Sequence, residues 1–194
     1  MKCRSRFPPR ARRIALLLAD VDGVLTDGRI YLTPGGAEIK GFNARDGAGL
    51  RLAQRCGIRT GIISGRAGAA VRRRATELQM DEVHLKARDK LSVYEEILRR
   101  RGLDDEQVCY IGDDLLDLPI LGRAGLPVVV ANAHDELVRR APFVTRAPGG
   151  HGAVREVVDA ILKAQGRWQE ILENFAPPTR VHRRGPRPGG RSRP

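Results

Sequence analysis

The chain alternates between short, continuous apolar runs and segments whose apolar residues recur at helical spacing. The runs predict strands, and the amphipathic segments between them predict helices. Strands are predicted within 13–22, 57–65, 81–85, 106–114, 126–133 and 143–145. Helices are predicted from about residue 46 and within 67–79, 89–102, 115–125, 134–141 and 152–175. This regular alternation indicates an α/β fold.

Strands separated by helices predict a doubly wound, mostly parallel sheet with helices on both faces. The strand segments are apolar throughout rather than at every second residue, which is typical of strands that are covered on both faces. In such folds, ligands bind in the crevice at the carboxyl ends of the strands. We therefore expect the functional residues where the predicted strands end.

Residues 28–43 interrupt the alternation and predict a β-hairpin insertion. Two short segments, RIYL and EIKGF, flank a Pro-Gly-Gly sequence that is typical of a turn. Because the hairpin follows the first strand, it would project from the carboxyl end of the sheet. It is placed either to cover the crevice or to contact another subunit.

The formal net charge of +12 is concentrated at the two ends of the chain. Residues 1–13 contain six Lys or Arg and no acid, and residues 176–194 contain six Arg and no acid. Residues 14–175 are therefore net neutral, unlike a basic nucleic-acid-binding domain. We expect one folded domain over 14–175 between two disordered basic tails, with polyanion contacts as the alternative role for these tails.

The cysteines and histidines do not point to a metal site or to secretion. Neither the three cysteines nor the four histidines have the spacing of a zinc site or a disulfide framework. No apolar run approaches the length of a membrane span, and the run after the basic N-terminus is too short for a signal peptide. The sequence therefore favours a cytoplasmic protein.

Acidic, hydroxyl and lysine side chains cluster where the predicted strands end. They are Asp20, Asp22, Ser64, Lys90, Asp113 and Asp114. Two carboxylates ~4 Å apart repel by about 4 kcal/mol at intermediate dielectric, so a cation is expected between them. Hard oxygen ligands favour Mg²⁺, and Ser64 with its neighbouring N–H groups, together with Lys90, would hold phosphate oxygens.

This set of side chains suits phosphoryl transfer through an aspartyl-phosphate. One carboxylate attacks phosphorus and divides a difficult hydrolysis into two easier steps. A second acid must protonate the leaving alcohol and then take a proton from the attacking water. Asp22 follows Asp20 by two residues and suits this role.

Four segments in this order, DVDGVLTDG, SGR, Lys90 and GDDLLD, resemble the four motifs of the haloacid dehalogenase superfamily of phosphatases. With FNARDGAGLRLA, ANAH and GGHGAVREVVDAIL, the stretch from residue 14 to 166 resembles more narrowly the 3-deoxy-D-manno-octulosonate 8-phosphate (KDO 8-phosphate) phosphatase branch. The resemblance implies a Rossmann-like domain without a large cap, with hairpins that meet in a homotetramer. It also implies a Mg²⁺-dependent hydrolase that makes KDO for lipopolysaccharide biosynthesis.

The resemblance also implies the residues around the metal. Asp20 would be the nucleophile and a Mg²⁺ ligand, and Asp22 would be the general acid/base with its backbone carbonyl on the metal. Asp113 would be the second carboxylate ligand, and Asp114 would support the metal or its waters. We expect Asp117 to support the loop or the start of the helix rather than to bind the metal.

The same resemblance implies the substrate contacts. Ser64 and Lys90 would hold the phosphoryl group, and Asp22 would contact the leaving group. Further positions match residues that the family uses around its substrate: Asn43, Arg45, Asp46, Gly47, Arg51, Arg66 and Arg74.

Arg66 bears on the choice of substrate. Its planar guanidinium suits the carboxylate at one end of a sugar-acid phosphate. Relatives that act on nonulosonate 9-phosphates tend to have Glu followed by Lys where this chain has Arg66 and Ala67. We therefore favour the eight-carbon substrate and keep a nonulosonate (KDN or sialic acid) 9-phosphate as the alternative.

Two other functions stay open from the sequence. One is a non-catalytic, HAD-like binding protein with a decayed phosphatase site, although the intact Asp20, Asp22, Lys90 and Asp113 argue against it. The other is a nucleic-acid 3′-phosphatase, which the basic tails suggest and the neutral body disfavours. Nucleic-acid binding of that kind would depend steeply on salt concentration.

Overall fold

The computed structural model describes residues 9–175, so the predicted tail segments 1–8 and 176–194 lie outside the described residues. The strands are β1 (Leu16–Ala19), β2 (Tyr31–Leu32), β3 (Glu38–Ile39), β4 (Arg59–Ser64), β5 (Glu82–Leu85), β6 (Val108–Gly112) and β7 (Leu126–Val129). The helices are α1 (Ala44–Arg55), α2 (Ala69–Glu77), α3 (Lys90–Arg101), α4 (Leu118–Leu121), α5 (Asp135–Arg140), α6 (Ala153–Ala164) and α7 (Trp168–Phe175).

Five strands form a parallel sheet in the order β5-β4-β1-β6-β7, which confirms the predicted α/β fold. The central strand β1 is buried along its whole length, as its continuous apolar sequence requires. At its carboxyl end, Ala19 pairs with Ile62 of β4 and Ile111 of β6. The strand order reverses between β1 and β6, so the ends of these two strands flank the topological switch point.

The helices cover the sheet in two groups. Helix α1 packs against α6, and α3 packs against α4. Because parallel crossovers are right-handed, the change of direction after β5 places α3 and α4 on the face opposite α1. Among residues 9–175 there is no cap domain, and the antiparallel hairpin β2–β3 is the insertion that the sequence predicts.

Local sequence signals fix several element ends. Gly102 ends α3 in the left-handed conformation with φ 63°, as its position in the sequence predicts. The predicted Pro-Gly-Gly turn is present in the hairpin, where the backbone N–H of Gly36 donates to the carbonyl of Thr33. No helix among residues 9–175 is long and apolar enough to cross a membrane.

The structure differs from the predictions at both ends of the domain. Pro9–Arg13 form a 3₁₀ helix with Ala11 buried, so the folded domain begins before residue 14. The predicted helix over 152–175 is two helices, because Gly166 adopts φ 74° and separates α6 from α7. The predicted strand at 143–145 is reduced to a single bridge between Val144 and Val129.

Candidate active site

The carboxyl ends of β1, β4 and β6 bring the predicted catalytic residues to one edge of the sheet. Asp20 follows β1 directly, and Ser64 is the last residue of β4. Asp113 follows β6, and Lys90 is the first residue of α3, the helix that comes after β5. Parallel strands thus place residues distant in sequence around one crevice.

Three carboxylates meet at this edge. One oxygen each from Asp20, Asp113 and Asp117 lies within 4.8 Å of the others. Burial, followed by the negative charge of Asp117, raises the pKa of Asp20 to about 6. Burial and the charges of Asp20 and Asp117 raise the pKa of Asp113 to about 7. The site therefore holds several closely spaced carboxylates, and a bound cation would reduce the repulsion between them.

Lys90 supplies one positive charge to this group of three carboxylates. Its Nζ lies 3.0 Å from Asp20 Oδ2 and donates to Asp117 Oδ1 at 2.8 Å. Burial acts to lower the pKa of Lys90, but the two carboxylates outweigh it and raise the pKa above the ordinary lysine value. The ammonium group therefore stays charged and directly contacts the predicted nucleophile.

Asp117 is the most buried member of the cluster and organises the others. Its Oδ1 accepts hydrogen bonds from Lys90 and from the hydroxyl of Tyr110 at 2.7 Å. Its Oδ2 accepts from the backbone N–H groups of Asp113 at 3.0 Å and Asp114 at 3.3 Å. With both oxygens occupied by these donors, Asp117 supports the loop, as the sequence analysis expects.

The residues present fit a magnesium ion. Asp113 Oδ1 is buried without a hydrogen-bond partner, and it belongs to the same carboxylate group as Asp20. An unpaired buried carboxylate oxygen beside a second carboxylate is the arrangement that a hard divalent cation satisfies. Gly23 keeps this space open, because a Cβ there would lie 2.0 Å from Asp113 Oδ2.

Asp114 is placed differently from Asp113. Its side chain is exposed and accepts a hydrogen bond from the backbone N–H of Leu115 at 2.7 Å, which caps the 3₁₀ helix Leu115–Asp117. It does not belong to the carboxylate group of Asp20, Asp113 and Asp117. Its predicted support of the metal or its waters stays a prediction.

Asp22 lies beside a group of charges contributed by the hairpin. Lys40 contacts both Asp22 Oδ1 and Glu38 Oε1. Arg66 lies 3.7 Å from Asp22 Oδ2 and 3.4 Å from Glu38 Oε1. The predicted general acid/base and the predicted carboxylate-binding arginine are therefore neighbours, and the hairpin connects them.

Ser64 is buried and faces the turn that follows β4. Its hydroxyl accepts a hydrogen bond from the backbone N–H of Arg66 at 3.2 Å. Its backbone carbonyl accepts from the N–H of Ala87 at 3.0 Å. Ser64 is thus held at the strand end between β1 and β5, where it was expected to bind phosphoryl oxygens.

The predicted substrate contacts on α1 divide by burial. Asn43 caps α1 through the N–H of Arg45 and also donates to the carbonyl of Gly150 at 3.2 Å, whereas the Arg45 side chain is exposed. Asp46 is 1% exposed and accepts from the backbone N–H groups of Gly152 and Arg155. In this structure the buried carboxylate of Asp46 therefore holds the start of α6 through these two hydrogen bonds.

The two remaining arginines are held by protein groups. Arg51 donates to Gln54 and to the carbonyl of Leu78, so it joins α1 to the end of α2. Arg74 pairs with Glu77 at 2.8 Å and lies over Gly47, where a Cβ would meet the Arg74 guanidinium at 2.2 Å. Their contacts in this structure are structural, and their contact with substrate stays a prediction.

Sequence reasoning missed Glu38, Lys40 and Tyr110. Lys40 and Glu38 alternate with the exposed Ile39, so both polar side chains point to one face of the hairpin. That alternation is a signal in the sequence, but it does not say which surface the polar face meets. Tyr110 lies within an apolar strand, and no local pattern distinguishes it from a core residue.

Comparisons with known proteins found similar sequences and folds. A family model described as haloacid dehalogenase-like hydrolase matches residues 76–157. The protein of Escherichia coli (strain K12) named 3-deoxy-D-manno-octulosonate 8-phosphate phosphatase KdsC is 45% identical over 161 residues, which cover 83% of this chain and 86% of that protein.

Two crystal structures extend the similarity to the fold. The 3-deoxy-D-manno-octulosonate 8-phosphate phosphatase from Yersinia pestis is 46% identical with a TM-score of 0.81, and the match covers 82% of this chain and 86% of that one. The corresponding phosphatase from Moraxella catarrhalis, solved with a magnesium ion, a phosphate ion and KDO, is 38% identical with a TM-score of 0.84. That match covers 86% of this chain and 96% of the other.

Proposed function

Because the chain belongs to the haloacid dehalogenase-like hydrolases, in the family of the 3-deoxy-D-manno-octulosonate 8-phosphate phosphatases, we propose that it hydrolyses KDO 8-phosphate to KDO and inorganic phosphate. The observation that carries this proposal is the contact of Asp20 with Lys90 beside the unpaired oxygen of Asp113. It combines a nucleophile, a fixed positive charge and a metal-binding carboxylate at one strand edge.

In the first step, a carboxylate oxygen of Asp20 attacks the phosphorus atom of the substrate. The new bond joins Asp20 to phosphorus while the bond from phosphorus to the sugar oxygen breaks. Asp22 donates its proton to this leaving oxygen, so the sugar departs as an alcohol. Lys90 and Ser64 hold phosphoryl oxygens and orient the group for in-line attack.

In the second step, water attacks the phosphorus atom of the aspartyl-phosphate. Asp22, now deprotonated, takes a proton from this water as the bond between Asp20 and phosphorus breaks. Inorganic phosphate leaves, and both carboxyl groups return to their initial state. One side chain therefore acts first as acid and then as base.

Asp20 and Asp113, with the backbone carbonyl of Asp22, would hold Mg²⁺. When bound, the ion reduces the repulsion between the nucleophile and the phosphate and orients the two groups. Asp117 is not needed as a ligand, because Lys90, Tyr110 and two backbone N–H groups occupy its oxygens.

The choice of substrate rests on Arg66. Its side chain is 50% exposed at the edge of the crevice, beside Asp22 and Glu38, and we propose that it turns from these carboxylates toward the carboxylate of the substrate. The test compares magnesium-dependent phosphate release from KDO 8-phosphate and from a nonulosonate 9-phosphate at equal concentrations. We expect preference for KDO 8-phosphate, lost with EDTA. Preference for the nine-carbon substrate would keep the mechanism and refute this role of Arg66, and turnover of neither would favour the non-catalytic alternative.

The exposed apolar side chains of the hairpin support assembly into a homotetramer. Ile30, Tyr31, Leu32 and Ile39 are exposed apolar side chains, and Leu32 is 71% exposed. A concentrated group of such side chains marks a protein interface. We propose that the hairpins of neighbouring subunits bury these side chains against one another.

We also propose a cytoplasmic location and no nucleic-acid substrate. The free cysteines Cys56 and Cys109 fit a reducing compartment. The net neutral charge of residues 14–175 disfavours a nucleic-acid groove in the folded domain.

A further inference from the structure

Lys40 is buried although it belongs to a mostly exposed hairpin. Its side chain is 1% exposed, whereas the adjacent Ile39 is 56% exposed. A buried ammonium group requires carboxylate partners, and Lys40 has two, Asp22 and Glu38. The hairpin therefore brings an ammonium group into direct contact with Asp22.

The two oxygens of Asp22 have different surroundings. Oδ1 is held by Lys40. Oδ2 is buried and accepts no hydrogen bond, with Arg66 Nε 3.7 Å away. One oxygen is thus held by Lys40, and the other makes no hydrogen bond and lies beside Arg66.

We propose that Lys40 is the positioning residue for the general acid/base. It binds Asp22 Oδ1 and thereby presents Oδ2 to the leaving oxygen and, afterwards, to the attacking water. Lys40 does not itself exchange a proton or touch the reacting atoms. This inference rests on the proposed function, since it assigns a role within the same two-step hydrolysis.

Glu38 and Arg66 complete the arrangement. Lys40 and Arg66 carry two positive charges opposite the two negative charges of Asp22 and Glu38. The half-exposed Arg66 can turn toward a substrate without releasing Asp22, because the buried Lys40 holds it from the other side. In this arrangement Lys40 positions the acid, and Arg66 binds the substrate.

The test uses Lys40→Met with two substrates that differ in leaving group. The leaving group of KDO 8-phosphate is a strongly basic alkoxide, so its departure needs the acid. The leaving group of 2,4-dinitrophenyl phosphate is dinitrophenolate, a weak base that departs without the acid. We expect the turnover of KDO 8-phosphate to fall roughly tenfold to a hundredfold, as loss of correctly placed acid–base catalysis predicts. With 2,4-dinitrophenyl phosphate, the stopped-flow burst of dinitrophenolate should keep its rate constant, while the later steady-state rate falls because water attack still needs the base.

Three further variants separate positioning from a general structural role. Lys40→Arg keeps the charge and should recover most of the turnover, which also guards against a Lys40→Met protein that does not fold. Lys163→Met removes an exposed lysine that lies over Trp168 and should change neither rate. Asp22→Asn combined with Lys40→Met should be no slower than Asp22→Asn alone, because Lys40 acts through Asp22.

Two results would overturn the proposal: a burst rate constant that falls in parallel with the steady-state rate, or additive effects in the double variant. Failure of the substrate assignment looks different. In that case the wild-type protein would hydrolyse 2,4-dinitrophenyl phosphate but not KDO 8-phosphate, and the burst comparison would still decide the role of Lys40. A crystal structure of Lys40→Met in which Asp22 keeps its orientation would also refute positioning by Lys40, whether or not the protein turns over either substrate.

Discussion

Asp117 shows how one buried side chain organises the site at the residue scale. It takes no part in the proposed bond changes, yet it accepts hydrogen bonds from Lys90, Tyr110 and the backbone N–H groups of Asp113 and Asp114. The lysine that contacts the proposed nucleophile, Asp20, and the loop that carries the proposed metal ligand, Asp113, are therefore fixed by the same carboxylate. Such networks hold a site in place only if every member is satisfied.

The hydroxyl of Tyr110 should matter for both stability and turnover. Burial and the charge of Asp117 hold the pKa of Tyr110 well above its ordinary value, so the hydroxyl remains a donor. Tyr110→Phe should lower the free energy of unfolding by about 1.5–3 kcal/mol, the range for hydrogen bonds to charged groups, and should reduce kcat severalfold. Urea unfolding and phosphate release measure the two effects.

Tyr94→Phe is the matched control for this change. Tyr94 is equally buried and donates to Asp105 at 2.8 Å, away from the site. It should lose similar stability and keep the wild-type kcat. If both variants had the same turnover, the hydroxyl of Tyr110 would have no role in the site.

Asp113 gives the metal-free protein a defined pH dependence. Its pKa is raised from 3.8 to about 7 by folding, so between these pH values the folded state binds more protons than the unfolded chain. Stability therefore falls as the pH rises through this window. Without metal, Asp113→Asn should be more stable than wild type at pH 7.5 by about 2 kcal/mol, after allowance for solvent screening.

Urea unfolding in EDTA at several pH values measures this difference. The advantage of Asp113→Asn should shrink as the pH falls from about 7 toward 3.8, because the folded protein then keeps this carboxyl group protonated and buries no charge there. Added Mg²⁺ should stabilise wild type more than the variant, because the metal needs the deprotonated ligand. Parallel pH profiles for the two proteins would contradict the proposed environment of Asp113.

At the scale of elements, the hairpin β2–β3 has two different faces. One carries Glu38 and Lys40 into the site, and the other exposes Tyr31 and Ile39, which pair directly across the two strands. The alternation of a strand places these side chains on opposite sides. A single small insertion can thus complete the active site and mediate assembly.

Leu32→Asp should disrupt the proposed assembly. A charge at this exposed apolar position of the hairpin would be desolvated in the interface, which is costly without a partner. We expect sedimentation to give a homotetramer for wild type and a smaller species for the variant. Leu172→Asp, at an exposed position on α7, is the control and should leave the mass unchanged. A tetrameric Leu32→Asp would refute the hairpin as the interface.

The elements also show what the sequence can predict. Three of the parallel strands, β1, β4 and β6, were predictable because continuous apolar runs end there in Asp, Ser or Gly. The break at Gly166 was not, since the apolar positions on both sides of it fit one helical stripe. The position of Lys40 depends on where the hairpin folds back onto the domain. The burial of Asp46 depends on how α6 packs against α1. These are tertiary contacts that local patterns do not contain.

At the scale of the whole molecule, the parallel sheet brings residues that are distant in the sequence into one site. The predicted catalytic residues Asp20, Ser64 and Asp113 are far apart in the sequence, yet each lies at or directly after the end of a parallel strand, so the topology brings them together. Lys90, the first residue of α3, joins them through its contacts with Asp20 and Asp117. The substrate contacts predicted on α1 depend on packing instead. Most of those side chains are held by neighbouring protein groups in this structure.

The central claim is that Asp20 is the nucleophile of a magnesium-dependent phosphatase. The most direct measurement is phosphate release from KDO 8-phosphate by wild type and Asp20→Asn, each with Mg²⁺ and with EDTA. We predict rapid release by wild type that EDTA abolishes, and a loss on the order of a thousandfold or more in Asp20→Asn with the fold retained. Wild-type turnover by Asp20→Asn, or turnover by wild type that persists in EDTA, would contradict the account.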